Sequence, residues 1–129
     1  MTAREKRDYW LDIARYDLRT AEHMWKTRRY LYVAFMCQQA LEKILKACYV
    51  SSHSDDPPRL HDLLKLAAAV PVTVPDKYGL LLAKLTAYYI EGRYPNYKQK
   101  LSRLTGRREA REVLGQTRRC FQCLTSECR

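Results

Sequence analysis

The stretch from Tyr30 to Tyr49, YLYVAFMCQQALEKILKACY, decides the fold. Its apolar residues recur at the i, i+3, i+4, i+7 spacing that gives an α-helix one apolar face. It contains no Gly or Pro, and its QQALEKILK part lacks the alternation of a β-strand. We therefore predict a long helix with one broad buried face. Its polar residues form a ridge that we expect to be solvated, consisting of Gln39, Glu42, Lys43 and Lys46.

Similar apolar periodicity appears on both sides of this stretch. A first helix is predicted from about Lys6 to Lys26, and the short link at 27–29 makes it an antiparallel neighbour of the second. Pro57 and Pro58 mark a loop before a short third helix that Pro71 ends. A fourth helix is predicted from Pro75 to Gly92, a loop at 91–97, and a last helix that begins near Ser102 or Thr105. The pattern predicts an all-α fold, an up-and-down bundle of four to five helices, in one domain over residues 1–129.

Composition narrows the functional classes. The chain has no run of 18 apolar residues, and its first ten residues, MTAREKRDYW, lack the apolar segment of a secretory signal. We expect a cytoplasmic protein. The five cysteines are an odd number, and two of them, Cys37 and Cys48, fall on the apolar face of the second helix. This favours reduced thiols over a disulfide framework.

The net charge of +10 is unevenly distributed. Residues 93–129 contain ten Lys or Arg against three Glu, so that this segment carries +7 of it. A basic excess of this kind favours an anionic partner, such as RNA, a nucleotide or an acidic protein.

The segment from Glu91 to Tyr97, EGRYPNY, is the strongest candidate for a binding site. The guanidinium of Arg93 suits a phosphate or a carboxylate. Tyr94 and Tyr97 offer rings for base stacking and hydroxyls for hydrogen bonds, and Pro95 stiffens the loop. The alternative is that Arg93 caps a helix end and both tyrosines form a lid over the bundle.

Three other features have a structural and a functional interpretation. Asp17 lies on the apolar side of the first helix, either at its edge against a surface Arg or in a polar cleft. His61, beside Asp62 at the start of the third helix, is either structural or a proton-transfer residue. The C-x2-C-x4-C spacing at the end of the chain lacks the fourth ligand of a zinc site, and we predict neither a metal nor another cofactor for Cys120, Cys123 and Cys128.

Four motifs in this order resemble the HEPN domain. They are W-x2-I-A-x2-D-L-x2-A at Trp10–Ala21, Q-Q-A-x-E-K-x-L-K-A at Gln38–Ala47, H-D-L at His61–Leu63, and R-Y-P at Arg93–Pro95. The resemblance implies a helical bundle, commonly a homodimer, with a cleft that meets nucleotides or RNA. It also implies a partner nucleotidyltransferase of the MNT type, as in two-component toxin–antitoxin systems.

HEPN ribonucleases carry an Arg followed, after four to six residues, by a His, and this chain departs from that pattern. Counted from Arg93, the His would be residue 98, 99 or 100, where the chain has Lys98, Gln99 and Lys100. A lysine holds phosphate, but with an ordinary pKa of about 10.4 it is a poor general base.

The sequence therefore predicts a non-catalytic HEPN-type protein that binds a nucleotide or RNA, with no catalytic residues. The predicted binding residues are Arg93, Tyr94, Tyr97, Lys43, Asp17 and Lys98. One alternative is a divergent ribonuclease, in which Lys98 or His61 takes the place of the usual histidine. Another is a helical adaptor that binds only protein.

Overall fold

The computed structural model describes residues 1–53 and 55–128, and of Tyr97 it describes the backbone only. In these residues there is no β-strand, and the all-α bundle predicted from the sequence is confirmed. No helix of this part of the chain is long and apolar enough to cross a membrane. The six α-helices and one 3₁₀ turn are α1 (Ala3–Lys26), α2 (Tyr30–His53), α3 (Leu63–Ala69), the turn Asp76–Tyr78, α4 (Gly79–Glu91), α5 (Pro95–Leu104) and α6 (Arg107–Glu127).

Helix α2 lies at the centre of the bundle and packs against every other α-helix, most extensively against α1 and α6. It contributes Leu41, Ile44 and Leu45, which are fully buried, to a single continuous core. Because neighbours surround it, its polar ridge is not solvated as predicted. Glu42 and Lys46 are only 2% and 6% exposed, and even Lys43 is half-buried.

The link between α1 and α2 is as short as predicted: α1 ends at Lys26 and α2 begins at Tyr30. The amides of Arg28 and Arg29 donate to the carbonyls of Trp25 and Met24, at 3.2 and 2.8 Å. Arg28 has a φ of 63°, in the left-handed region that side chains other than Gly, Asn and Asp rarely adopt. The ring of Trp25 contacts that of Tyr30 across the turn, so the turn is well fixed.

Helix α4 ends at Gly92, as the sequence predicts, but not because a left-handed cap requires glycine. Gly92 has an ordinary helical φ of −66°. A Cβ at this position would overlap the ring of Phe35 and lie 2.7 Å from the carbonyl oxygen of Tyr88. The glycine is thus needed because α4 passes closely over α2, and this close approach places Arg93.

The predicted loop at 91–97 is a bend of only three residues, Gly92–Tyr94, followed by α5. Pro95 is the first residue of this helix, where its missing N–H costs nothing and its fixed φ is already helical. Proline was therefore correctly interpreted as the end of α4, but it also begins a helix that the sequence reading missed.

The expectation that the cysteines are all reduced is wrong for one pair. Cys48 near the end of α2 and Cys128 after α6 form a disulfide across a sequence separation of 80 residues. Cys37, Cys120 and Cys123 are free. Burial raises the pKa of both Cys37 and Cys120 to about 12, which makes these two thiols unreactive.

Candidate nucleic-acid interface

Arg93 lies exposed at the bend between α4 and α5. Its guanidinium carbon is 5.6 Å from the centre of the Tyr89 ring, in a cation–π contact. Among the described residues no carboxylate lies within ion-pair distance of it. Arg93 lines an open cavity of about 260 Å³ together with Ile90 and Tyr94. The site is thus accessible and positively charged.

The structure brings some of the predicted site residues together and separates others. Tyr94 shares the cavity of Arg93, and its side chain is 60% exposed. Lys98, one turn into α5, instead lines a neighbouring cavity, where its Nζ lies 5.2 Å from the centre of the Tyr32 ring. The side chain of Tyr97 lies outside the described part of the structure, so its predicted role stays a prediction.

Asp17 and Lys43 contact each other. The Nζ of Lys43 lies 3.1 Å from Oδ2 of Asp17 and donates to Oε1 of Gln39 at 2.8 Å. Both charged side chains are largely buried between α1 and α2, at 13% and 17% exposed. Asp17 thus has a lysine of the neighbouring helix as its partner, not the surface arginine that we considered. Their predicted contact with a ligand stays a prediction.

A chain of hydrogen bonds continues from this ion pair through the interior. The Nε2 of Gln39 donates to Oε1 of Gln38 at 2.7 Å, and the amide of Gln38 donates to Glu42 and to the carbonyl of His61. On the other oxygen of Glu42 lies Nζ of Lys46, at 3.1 Å. We call this set the α2 network: Asp17, Gln38, Gln39, Glu42, Lys43, Lys46 and His61.

Glu42 is the centre of the α2 network and is ionised at neutral pH. Burial by itself raises its pKa. The hydrogen bond from His61, the charge of Lys46 and the hydrogen bonds from Gln38 and Lys46 together outweigh burial, so that the pKa of Glu42 lies below its ordinary value of 4.5. A buried carboxylate of this kind fixes the groups that donate to it.

His61 joins the α2 network to the surface. Its Nδ1 is 2.8 Å from Oε1 of Glu42, and since a carboxylate only accepts, this nitrogen carries the proton. The backbone on its C-terminal side is held by Asp62, which caps α3, and by the bond from Leu63 N to Thr86 Oγ1. The His61 side chain is 49% exposed, and its ring contacts that of Tyr89 at 4.9 Å. His61 and Arg93 therefore both contact Tyr89.

The sequence connects His61 with Arg93 only in the ribonuclease alternative, and it gives no link from His61 to Glu42 and no role for Tyr89. The charge pattern of the ridge predicts a solvated face for Glu42, whereas the structure buries it. A signal was present, since Gln38 and Glu42 are adjacent to the apolar positions 34, 37, 41 and 45 on the helix. Polar residues so close to the buried face require internal partners.

The cysteine motif does not assemble a ligand set. Cys120 is buried, Cys123 is half-buried, and Cys128 is bonded to Cys48. Within 1–53 and 55–128, no group of three or more His, Cys, Asp or Glu side chains could hold a metal ion.

Comparison with known proteins agrees with this architecture. No curated protein matches the chain. TT1696 from Thermus thermophilus, known from a crystal structure, is 28% identical, with a TM-score of 0.81 over 94% of this chain and 97% of that chain. The family model described as the HEPN domain matches residues 8–127, nearly the whole sequence. The chain therefore belongs to the HEPN domain family.

Proposed function

We propose that this HEPN protein binds a nucleotide or RNA, without cleaving it, at the bend that carries Arg93. The observation that supports this most directly is an exposed guanidinium that lies on a tyrosine ring and has no carboxylate partner among the described residues. Guanidinium groups fork onto phosphate, and aromatic faces stack on bases. In the proposed complex, Arg93 contacts phosphate and Tyr94 stacks on a base or hydrogen-bonds to the ligand.

The test is binding of fluorescently labelled RNA and of ATP by the purified protein at low salt. Arg93→Ala should weaken binding of both ligands at least tenfold, whereas Arg93→Lys should retain part of it because the charge remains. Arg19→Ala is the matched control, since Arg19 is also exposed and has no carboxylate partner among the described residues. Equal binding by the Arg93→Ala and Arg19→Ala proteins would refute the proposed site.

We further propose a homodimer and a separately encoded MNT-type nucleotidyltransferase partner, in a two-component system of the toxin–antitoxin kind. Both proposals rest on the family relationship. Light scattering after size-exclusion chromatography measures the molar mass in solution and so tests the homodimer. For the second, an adjacent reading frame encoding a small nucleotidyltransferase should yield a protein that copurifies with this chain. A monomer, or two proteins that do not associate, would contradict the respective proposal.

A ribonuclease is the second candidate, and one observation favours it. Glu42 accepts a hydrogen bond from Nδ1 of His61, so that Nε2 is the acceptor of the neutral imidazole, and His61 and Arg93 contact the same ring. In this alternative, Nε2 removes the proton of an RNA 2′-hydroxyl as that oxygen attacks phosphorus. The bond from phosphorus to the 5′-oxygen of the next nucleotide breaks, and this leaving oxygen takes a proton from water. Arg93 then stabilises the charge that develops on the phosphate.

A cleavage assay on total RNA separates the two candidates. A ribonuclease should lose cleavage in both His61→Gln and Arg93→Ala, while His23→Gln, an exposed histidine on α1, retains it. No cleavage by the wild-type protein, at a concentration where RNA is fully bound, would leave the non-catalytic function.

A further inference from the structure

A second cavity lies beside the bend, at the start of α2. It encloses about 360 Å³ between the α1–α2 turn and α5. Three cationic side chains line it, Arg28 and Arg29 from the turn and Lys98 from α5, and none of its described lining residues is acidic. All three are exposed.

The three cations have no carboxylate partner among the described residues, in contrast to four other cations of the surface. Lys6, Arg7, Lys84 and Arg118 each form an ion pair with a carboxylate. No described carboxylate lies within 4.0 Å of Arg28, Arg29 or Lys98. Like charges that gather without counter-charges repel one another, and a bound anion would relieve this repulsion.

The cavity walls are well fixed before any ligand binds. The turn is held by the hydrogen bonds from the amides of Arg28 and Arg29, and the ring contact of Trp25 with Tyr30 brackets it. On the opposite side, Lys98 N donates to Tyr94 O at 2.9 Å in the first turn of α5. Ligand binding should therefore cost little backbone conformational entropy.

A row of contacts joins this cavity to the one at Arg93. Lys98 lies over Tyr32, whose ring is 5.7 Å from that of Phe35. Phe35 in turn lies under Gly92, the residue before Arg93. Tyr94, which lines the cavity at Arg93, and Lys98, which lines the second cavity, are one helical turn apart, about 6 Å along the axis of α5. The two cavities are thus neighbours on one surface. Each has an exposed aromatic ring, Tyr32 at the second cavity and Tyr94 at the cavity of Arg93.

We propose that the Arg28–Arg29–Lys98 cavity is a second phosphate subsite, and that the ligand is a single-stranded polynucleotide that spans both cavities. This rests on the proposed function of Arg93 and makes it more specific. A mononucleotide fills one cavity only, whereas a polynucleotide presents phosphates to both. A single strand leaves its bases free to stack on exposed tyrosines, which a duplex does not.

The experiment compares oligonucleotides of about 2 to 12 residues, in RNA and DNA forms, with ATP as the mononucleotide. Wild-type affinity should rise with length until both cavities are occupied. The variant Arg28→Asn/Arg29→Ala removes two charges, with Asn at the position that needs a left-handed φ. It should still bind ATP at the Arg93 cavity but lose the gain in affinity with oligonucleotide length. The negative slope of log K against log salt should become shallower by about 1.4.

Arg15→Ala/Arg19→Ala is the matched control, because it removes two exposed arginines of α1 that line neither cavity. Lys98→Ala should give a smaller loss of the same kind, and melting curves confirm that each variant is folded. Equal affinity and salt slope in the Arg28→Asn/Arg29→Ala protein and this control would overturn the second subsite. If Arg93→Ala still weakens binding in that case, the proposed function survives; if it has no effect, both fail.

Discussion

The α2 network and the basic surface formed by Arg28, Arg29, Arg93 and Lys98 both contain charged side chains, and they differ in whether the protein supplies counter-charges to them. In the network, Glu42 binds His61, Gln38 and Lys46 inside the bundle. On the basic surface, the described residues offer no carboxylate to any of the four cations. The charges of the network are thus matched inside the protein, whereas those of the basic surface have no carboxylate partner among the described residues and face solvent.

The largest effect should come from breaking the network at its centre. Glu42→Gln removes the carboxylate from Lys46, whose side chain is only 8% exposed, and leaves an uncompensated buried charge. Loss of one partner of a buried pair typically costs about 3–5 kcal/mol. Urea denaturation at neutral pH measures this loss in the free energy of unfolding. Asp12→Asn, at an exposed position, is the control. A loss no larger than the control's would mean that water compensates Lys46.

The same variant should show a defined pH dependence. Since folding lowers the pKa of Glu42, its carboxylate contributes stability that is fully present above its ordinary pKa of 4.5. This contribution is lost as the pH falls through the lower pKa of the folded state. The stability difference between wild type and Glu42→Gln should therefore be greatest near neutral pH and narrow below 4.5. If the stability difference between the two proteins grew as the pH fell, Glu42 would not be the ionised carboxylate that we infer.

The disulfide is expected to contribute next. Reduction of the Cys48–Cys128 bond frees two ends of a long loop in the unfolded chain and should cost about 2–4 kcal/mol. Denaturation with and without a reductant measures this difference, and Cys128→Ala should show no response to the reductant. Cys123→Ala, which removes a free thiol, should respond as the wild type does. Identical wild-type curves in both conditions would show that the bond does not form in solution.

A smaller effect is expected where the basic surface meets the core. Gly92→Ala places a methyl group against the ring of Phe35 and should destabilise the protein by about 1–3 kcal/mol. Gly79→Ala is the matched control, because a Cβ there meets nothing within 4 Å. Gly79→Ala should increase the free energy of unfolding by about 0.4–1 kcal/mol. Gly92→Ala should also weaken RNA binding, since Arg93 is the next residue; equal stability of both variants would exclude the steric explanation.

The smallest effect on stability is expected at Arg93 itself. Arg93→Ala removes one exposed side chain and should change the free energy of unfolding by no more than about 0.5 kcal/mol. Thermal and urea denaturation measure this change. A large loss of stability would show that the contact with Tyr89 is structural, and it would place Arg93 with the α2 network.

Apolar spacing and turn residues were sufficient to predict most of the helices, because helix formation depends largely on residues that are close in the chain. The apolar spacing in 30–49 and in the stretch from Lys6 to Lys26, with the short link at 27–29, predicted α1 and α2 as antiparallel neighbours. The same reasoning failed at Pro95, where one residue both excludes helix before it and favours helix after it. It also indicated Arg93 as a candidate, since an arginine that is followed by Tyr94, Pro95 and Tyr97 is visible without coordinates.

Sequence by itself determined that this protein is an all-α member of the HEPN family with an arginine at the bend after α4. Only the tertiary structure decided that Glu42 and Lys46 are buried, that Cys48 meets Cys128, and that Arg28 and Arg29 lie beside Lys98. The reason is physical. Helix periodicity shows which residues share a face, but neighbouring helices decide whether that face meets water, a partner charge or an open cavity.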